Sequence, residues 1–113
     1  MQVAIKVTGI CGSDIHYWKH YRNGNIIVNH PITLGHESAG IVVAVGESVK
    51  NTFQVGDKVA LEVGLPCEKC ELCRAGRYNI CEDMHFMSSA RRVPHDNGTL
   101  KERINHPAKY CHK

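Results

Sequence analysis

Residues 66–73 read Pro-Cys-Glu-Lys-Cys-Glu-Leu-Cys, and Cys81 follows after seven more residues. Four of the six cysteines in the chain therefore lie within fifteen residues, with the spacing C-x2-C-x2-C-x7-C. Four thiolates satisfy a tetrahedral zinc ion and leave no position for water or substrate. The stretch predicts a structural zinc site in an irregular lobe, because closely spaced ligands need tight turns.

Disulfide bonds, or buried cysteines that act as small apolar side chains, are the alternatives for this stretch. Cysteines separated by two residues pair with each other less readily, and the intervening Glu68, Lys69 and Glu71 are polar. The first residues also lack the pattern of a secretory signal. These features favour metal binding in a reducing, cytoplasmic environment.

Cys11 and the pair His36-Glu37 form a second, looser set of metal ligands. Each is weak evidence alone, because a cysteine at a strand end usually packs and a His-Glu pair is common. Together they offer a thiolate, an imidazole and a carboxylate, and three protein ligands with an open position are the pattern of catalytic zinc. A metal held in this way can polarise a carbonyl or lower the pKa of a bound alcohol. The spacing alone is not diagnostic.

Length and charge limit the classes of partner. The 113 residues correspond to one ordinary domain, and a hydrophobic content of 42% is enough for one core. The net charge is +3, and the densest basic pair, Arg91-Arg92, is followed by Val93-Pro94 rather than by more charge. We therefore expect no nucleic-acid partner. No apolar run approaches the ~20 residues of a membrane helix, so no membrane partner is expected either.

Short segments that alternate apolar and polar residues, or are rich in β-branched residues, predict β-strands. The predicted strands cover residues 3–10, 39–45, 58–63, 100–104 and 108–111. A short helix is predicted over residues 15–18, capped by Ser13 or Asp14, and residues 19–34 and 84–97 are predicted to be loops. Short strands with Gly-containing turns predict a mainly β domain, a partly open barrel or a sandwich.

Four motifs occur in order along the chain: Gly9-Ile10-Cys11-Gly12-Ser13-Asp14-Ile15-His16, Gly35-His36-Glu37-Ser38-Ala39-Gly40, Val55-Gly56-Asp57-Lys58-Val59-Ala60 and the four-cysteine stretch. With these motifs the chain resembles the GroES-like catalytic domain of the zinc-dependent medium-chain dehydrogenases. Residues 16–20, 76–81 and 105–108 are similar to those of the polyol dehydrogenases that act on sorbitol, xylitol and, in fungi, L-arabinitol. The resemblance covers nearly the whole chain and implies a GroES-like, partly open β barrel with short helices.

The resemblance also implies two zinc ions, one catalytic and one structural. The residues that match the family's catalytic zinc site are Cys11, His36 and Glu37, where Glu37 is a ligand or lies close to the metal. The residues that match the structural zinc ligands are Cys67, Cys70, Cys73 and Cys81.

A proton relay and a substrate pocket are implied in the same way. Ser13 matches the hydroxyl that begins the relay, and His16 fits a relay member because imidazole passes protons near neutral pH. A surface or capping histidine is the alternative for His16. Tyr17 and Phe86 lie in stretches that line the polyol pocket of the family, and core packing is the alternative for both.

The activity implied for the whole enzyme is oxidation of a secondary alcohol of a polyol to a ketose, with transfer of hydride to NAD(P)+. No G-x-G-x-x-G fingerprint occurs in these residues. We therefore expect residues 1–113 to be the catalytic domain, incomplete at its N-terminus and inactive alone. A Rossmann domain outside these residues would bind most of the NAD(P), and the parent enzyme is expected to be a homo-oligomer.

Two other functions stay open on the sequence. One is a non-enzymatic zinc-binding fragment that keeps only the four-cysteine site. The other is a relative with different chemistry, such as an alcohol or threonine dehydrogenase.

Residues 87–97 differ from the Pro-rich link usual in the family, so the pocket wall is least defined there.

Overall fold

The computed structural model describes residues 1–113, and most of its regular elements are short β-strands. The elements are β1 (Gln2–Gly9), α1 (Gly12–His20), β2 (Arg22–Asn23), β3 (Ile26–Ile27), β4 (Glu37–Ala44), β5 (Lys58–Leu61), β6 (Gly64–Leu65), α2 (Glu71–Arg74), β7 (His85–Phe86), β8 (Arg103–Asn105) and β9 (Cys111–His112). Short 3₁₀ turns lie at Glu47–Val49, Tyr78–Ile80 and Ala108–Tyr110. The predicted mainly β class is confirmed.

One antiparallel sheet of five strands, in the order β8-β1-β4-β5-β9, forms the body of the domain. Its longest pairing joins β1 to β4, where Val3 lies opposite Val42 and Gly9 lies opposite Glu37. Two small ribbons, β2-β3 and β6-β7, stand apart from this sheet. The β1–β4 register places the end of β1 beside the start of β4, and both metal-ligand segments of the second set meet there.

The core lies on one face of this sheet because buried residues alternate along its strands. Ser38, Gly40 and Val42 are buried in β4, and Val59 and Leu61 are buried in β5. The main apolar cluster consists of Val3, Val42, Phe53, Val59, Leu61, Val63, Ile104 and Cys111. Burial of this apolar area supplies the main favourable free energy of folding.

Some sequence predictions differ from the structure in extent. Helix α1 begins at Gly12 rather than near residue 15, because Cys11 is the N-cap and the Asp14 carboxylate accepts the Cys11 N–H. The predicted loop 19–34 contains the β2-β3 hairpin, and the predicted loop 84–97 contains β7. Residues 108–110 form a 3₁₀ turn instead of a strand, because the fixed φ of Pro107 starts a turn there. No helix in the structure is long and apolar enough to cross a membrane.

We expect Gly40→Ala to lower the free energy of unfolding by about 1–3 kcal/mol, since overpacking a dense core carries a cost of this size. A Cβ at Gly40 would lie 2.3 Å from the Ala4 carbonyl oxygen and 2.7 Å from Val3 Cγ1, so β1 and β4 would have to separate. Urea denaturation of the zinc-loaded chain measures the change. Gly46→Ala is the matched control, because nothing lies within 4 Å of a Cβ at Gly46. Equal stability of the two variants would contradict this account of the packing.

The burial of His106 predicts that part of the stability of the domain is lost at acid pH. Its side chain is buried, and Nε2 lies 2.9 Å from the Glu62 carbonyl oxygen. Burial disfavours the imidazolium and lowers the pKa of His106 below its ordinary value of 6.5. As the pH falls below that value, the unfolded chain takes up the proton before the folded chain does, so this contribution to stability is lost.

His106→Gln should therefore lose less stability than the wild type between pH 7.5 and 5, when both are measured by urea denaturation with saturating zinc. His20→Gln replaces an exposed histidine at the end of α1 and should keep the wild-type pH profile. Parallel pH profiles for His106→Gln and the wild type would contradict the assignment.

Candidate metal centres

The four cysteine sulfurs of the lobe converge in the structure. Their Sγ atoms all lie within 4.8 Å of one another. Two of the separations, Cys67–Cys73 and Cys70–Cys81, are 4.0 Å each. All four cysteines are free thiols. The disulfide alternative does not apply to this conformation, since bonded sulfurs lie about 2.05 Å apart.

These separations fit a metal ion. A zinc ion with four Zn–S bonds of about 2.3 Å has S···S edges of about 3.8 Å. Backbone N–H groups hold two of the sulfurs in place. The N–H of Cys70 donates to Cys67 Sγ at 3.4 Å, and the N–H of Cys67 donates to Cys81 Sγ at 3.4 Å. The sequence prediction of a four-thiolate zinc cluster fits this geometry.

Electrostatics within the lobe are uneven. The N–H groups of Lys69 and Cys70 lower the pKa of the Cys67 thiol to about 6. Burial, followed by the neighbouring Cys70 and Cys81 thiols, raises the pKa of Cys73 to about 12. Deprotonation of all four thiols therefore needs the positive charge of a metal ion, and binding of that ion releases protons.

Glu68 ties the lobe to the body of the domain. It adopts a left-handed backbone conformation, with φ of +63°. Its carboxylate accepts the Tyr110 hydroxyl at 2.9 Å and pairs with Lys109. These two partners, Lys109 first, lower the pKa of Glu68 below its ordinary value. The lobe is thus fastened to the residues that precede β9.

The second ligand set also converges. One ligand atom each from Cys11, His36 and Glu37 lie within 4.8 Å of one another. The β1–β4 pairing produces this arrangement, because Cys11 follows β1 while His36 and Glu37 lead into β4. A Cβ at Gly9 would lie 2.5 Å from Glu37 Oε2, so a larger residue there would displace the Glu37 carboxylate from this position. The structure therefore brings the three predicted ligands together, with Glu37 on the exposed side.

A buried and unpaired nitrogen indicates that His36 has a role beyond packing. Its Nδ1 is buried without a hydrogen-bond partner. Asp14 Oδ1 lies 3.5 Å away, and the two atoms form no hydrogen bond in this conformation. A proton on Nδ1 directed toward this carboxylate would leave the Nε2 lone pair for a metal ion. The donor set of thiolate, imidazole and carboxylate suits zinc.

Asp14, which the sequence predicts only as a helix cap, contacts both segments that carry the open ligand set. Its carboxylate accepts the N–H of Cys11 at 3.3 Å and the N–H of Gly35 at 3.1 Å. It thus links the segments that carry Cys11 and His36. The available signal was its position three residues after Cys11, since an acidic side chain there reaches back to the cap N–H.

The predicted relay and pocket residues lie around the second cluster. Ser13 is half-buried in the first turn of α1, and His16 is exposed one turn later. No hydrogen bond joins them in this structure, so the relay stays a prediction. The Phe86 ring packs edge-on against the His36 ring at 5.5 Å between centroids and stays 41% exposed. Tyr17 is buried, and its oxygen accepts the Ala90 N–H at 3.3 Å.

The fold and the two clusters define a zinc-binding β domain that has one closed and one open set of ligands. Comparison with known families gives the class a name. The chain belongs to the alcohol dehydrogenase GroES-like domain family, whose profile matches residues 1–113. The predicted fold class and family are thereby confirmed.

Individual relatives agree with this assignment. A protein named "Probable D-xylulose reductase A" from Aspergillus clavatus is 50% identical over 111 residues, which are 98% of this chain and 30% of that protein. L-idonate 5-dehydrogenase of Vitis vinifera is 48% identical over 113 residues, which are 100% of this chain and 30% of that protein. The crystal structure of L-idonate 5-dehydrogenase from Escherichia coli K-12 superimposes with a TM-score of 0.89 at 33% identity, over 97% of this chain and 31% of that one. The chain thus spans about 30% of the length of the curated relatives it matches.

We expect the chain, reconstituted with zinc under reducing conditions, to hold two zinc ions. Cys11→Ala should hold one, because the open cluster loses its thiolate while the four-cysteine cluster keeps all its ligands. Metal analysis by mass spectrometry after desalting measures both values. Cys111→Ala is the control, since this buried core thiol belongs to neither ligand cluster and makes one hydrogen bond, to the Pro107 carbonyl oxygen at 3.6 Å, so both ions should stay bound. One zinc in the wild type, unchanged in Cys11→Ala, would instead support the non-enzymatic zinc-binding alternative.

Proposed function

We propose that this chain is the metal-binding catalytic domain of a zinc-dependent dehydrogenase that oxidises a secondary alcohol of a polyol to a ketose with NAD(P)+. One observation carries the proposal: Cys11, His36 and Glu37 converge in a domain whose family contains relatives named as a D-xylulose reductase and an L-idonate 5-dehydrogenase. Three ligands with one exposed side leave room for a substrate oxygen.

The two clusters take different roles in this proposal. Four thiolates close the first cluster to any further ligand, so it serves stability and not chemistry. Cys11, His36 and Glu37 hold the second ion, and Asp14 supports the ligand segments from behind. A zinc ion at the second site would supply Lewis acidity toward a hydroxyl oxygen.

Ser13 and His16 handle the proton in this proposal. Residues three apart lie on the same face of a helix, so the Ser13 hydroxyl and the His16 imidazole follow each other along α1. Ser13 lies two residues after Cys11 and takes the proton from the substrate hydroxyl. His16 is exposed and passes that proton to water.

Phe86 forms part of the wall of the proposed substrate pocket, and Tyr17 supports that wall. The Phe86 ring covers one side of His36 and presents an apolar surface beside the ligand cluster. Tyr17 accepts the Ala90 N–H and so fixes the segment that follows Phe86. A small polyol can therefore be oriented against a firm wall, which favours transfer from one carbon.

The reaction balances with a nicotinamide as the oxidant. A bound NAD(P)+ would supply the hydride acceptor for the carbon-bound hydrogen, Ser13 and His16 would carry the hydroxyl proton away, and the product would be a ketose. The nucleotide binds mainly to residues outside this chain, in keeping with relatives about three times its length. The isolated chain is accordingly inactive, and the parent enzyme is a cytoplasmic homo-oligomer. The six free cysteines agree with a reducing compartment.

A chimera tests the proposal. Residues 1–113 would replace the matching region of the Aspergillus clavatus relative, and activity would be measured on xylitol, sorbitol, L-arabinitol and L-idonate with NAD+ or NADP+. We expect oxidation of at least one of these substrates. Cys11→Ala should reduce activity to background, and Ser13→Ala should lower kcat by ~100-fold or more, the usual contribution of general acid–base catalysis.

Zinc content and nucleotide binding of the chimera show whether it is folded, and Ser89→Ala should retain activity. A chimera with two zinc ions and intact nucleotide binding that oxidises none of the four substrates would contradict the proposal. Oxidation of ethanol or L-threonine by that chimera would favour the alcohol or threonine dehydrogenase alternative. Turnover by the isolated chain would contradict the division between the two domains.

A further inference from the structure

Asp14 receives a third hydrogen bond, from a distant part of the chain. The Ser88 hydroxyl donates to Asp14 Oδ1 at 3.0 Å across 74 positions of sequence. Asp14 is 5% exposed and Ser88 is 3% exposed, so water does not compete for this bond. Ser88 provides the only side-chain hydrogen bond to Asp14, because the other two donors are the backbone N–H groups of Cys11 and Gly35.

The backbone at Ser88 is unusual. Its φ of +65° lies in the left-handed region, which residues other than glycine rarely adopt. Such conformations persist where the surroundings hold them, and they concentrate at functional sites. Two residues before Ser88, Phe86 packs on His36, and two residues after it, Ala90 donates to Tyr17. Ser88 therefore connects residues 86–90, which contact His36 and Tyr17, to Asp14, which contacts the segments that carry Cys11 and His36.

The direction of the Ser88 bond matters for His36. Asp14 Oδ1 accepts the Ser88 hydroxyl and the Gly35 N–H, and it also lies 3.5 Å from His36 Nδ1. Two donors on one oxygen fix the carboxylate plane and set where an acceptor lies for the imidazole. Without the hydroxyl, the carboxylate keeps only two backbone donors, the Gly35 N–H on Oδ1 and the Cys11 N–H on Oδ2, and Oδ1 is held less firmly toward His36. Partners of this kind orient a metal-ligating imidazole.

We propose that Ser88 is a positioning residue for the metal site formed by Cys11, His36 and Glu37: its hydroxyl holds the Asp14 carboxylate in the orientation that aligns His36. This inference rests on the proposed function, since it requires a metal ion at that site. A role confined to backbone shape is the alternative, and substitution by glycine separates the two. Ser88→Gly removes the hydroxyl yet relieves the left-handed backbone.

Cobalt binding to the 113-residue chain provides the test. The apo chain is titrated with Co²⁺ under reducing conditions, and the spectrum of Cys11→Ala is subtracted to isolate the bands of the Cys11 site. Competition with a chelator gives the affinity. Ser88→Ala and Ser88→Gly should each weaken Co²⁺ binding at this site by ~10-fold, the lower end of the range for outer partners of ligands, and shift its d–d bands. The bands of the four-cysteine site should not change.

Ser89→Ala is the matched control, because the Ser89 hydroxyl accepts the Arg91 N–H and has no hydrogen bond to Asp14. It should keep the wild-type affinity and spectrum. Wild-type affinity and bands in Ser88→Gly would overturn the inference and leave the proposed function standing. Absence of Cys11-dependent bands from the wild-type chain would overturn the metal site, and this inference with it.

Discussion

The antiparallel pairing of β1 with β4 is the constraint on which the rest of the domain depends. It buries Val3 against Val42, and at its other end it sets Gly9 beside Glu37. Side chains alternate across a strand, so a slip of one residue in this register would turn Glu37 to the opposite face. The core and the open ligand cluster are therefore two ends of one hydrogen-bonded ladder, and a change that weakens the core also moves ligands.

The two clusters are supported in different ways. The four cysteines lie close together in sequence, and turns around α2 with backbone N–H donors are enough to converge their sulfurs. The open cluster needs partners from distant segments, which meet on the buried Asp14 carboxylate. Burial of a carboxylate costs free energy unless it is hydrogen-bonded, and each of these donors offsets part of that cost. The first site is local in origin, whereas the second is a product of tertiary structure.

This difference explains what could be predicted from the sequence. Ligand spacing within the cysteine lobe and the apolar, β-branched composition of β1, β4 and β5 are local signals, and the positions of these elements agree with the structure. The β2-β3 hairpin and β7 were missed because two-residue strands carry almost no periodicity. The contact of Ser88 with Asp14 spans 74 positions, and no local pattern encodes it. Ser13, His16, Tyr17 and Phe86 came from resemblance, and their roles stay predictions.

The attachment of the cysteine lobe through Glu68 has a consequence for the abundance of the protein. Because Glu68 bonds Tyr110 and Lys109 just before β9, order in the lobe is coupled to the edge of the main sheet. Zinc that binds only the folded lobe stabilises the whole domain by mass action, by about 1.4 kcal/mol for each tenfold rise in free zinc above the dissociation constant. The concentration of free zinc in the cell would thus regulate how much folded protein survives degradation.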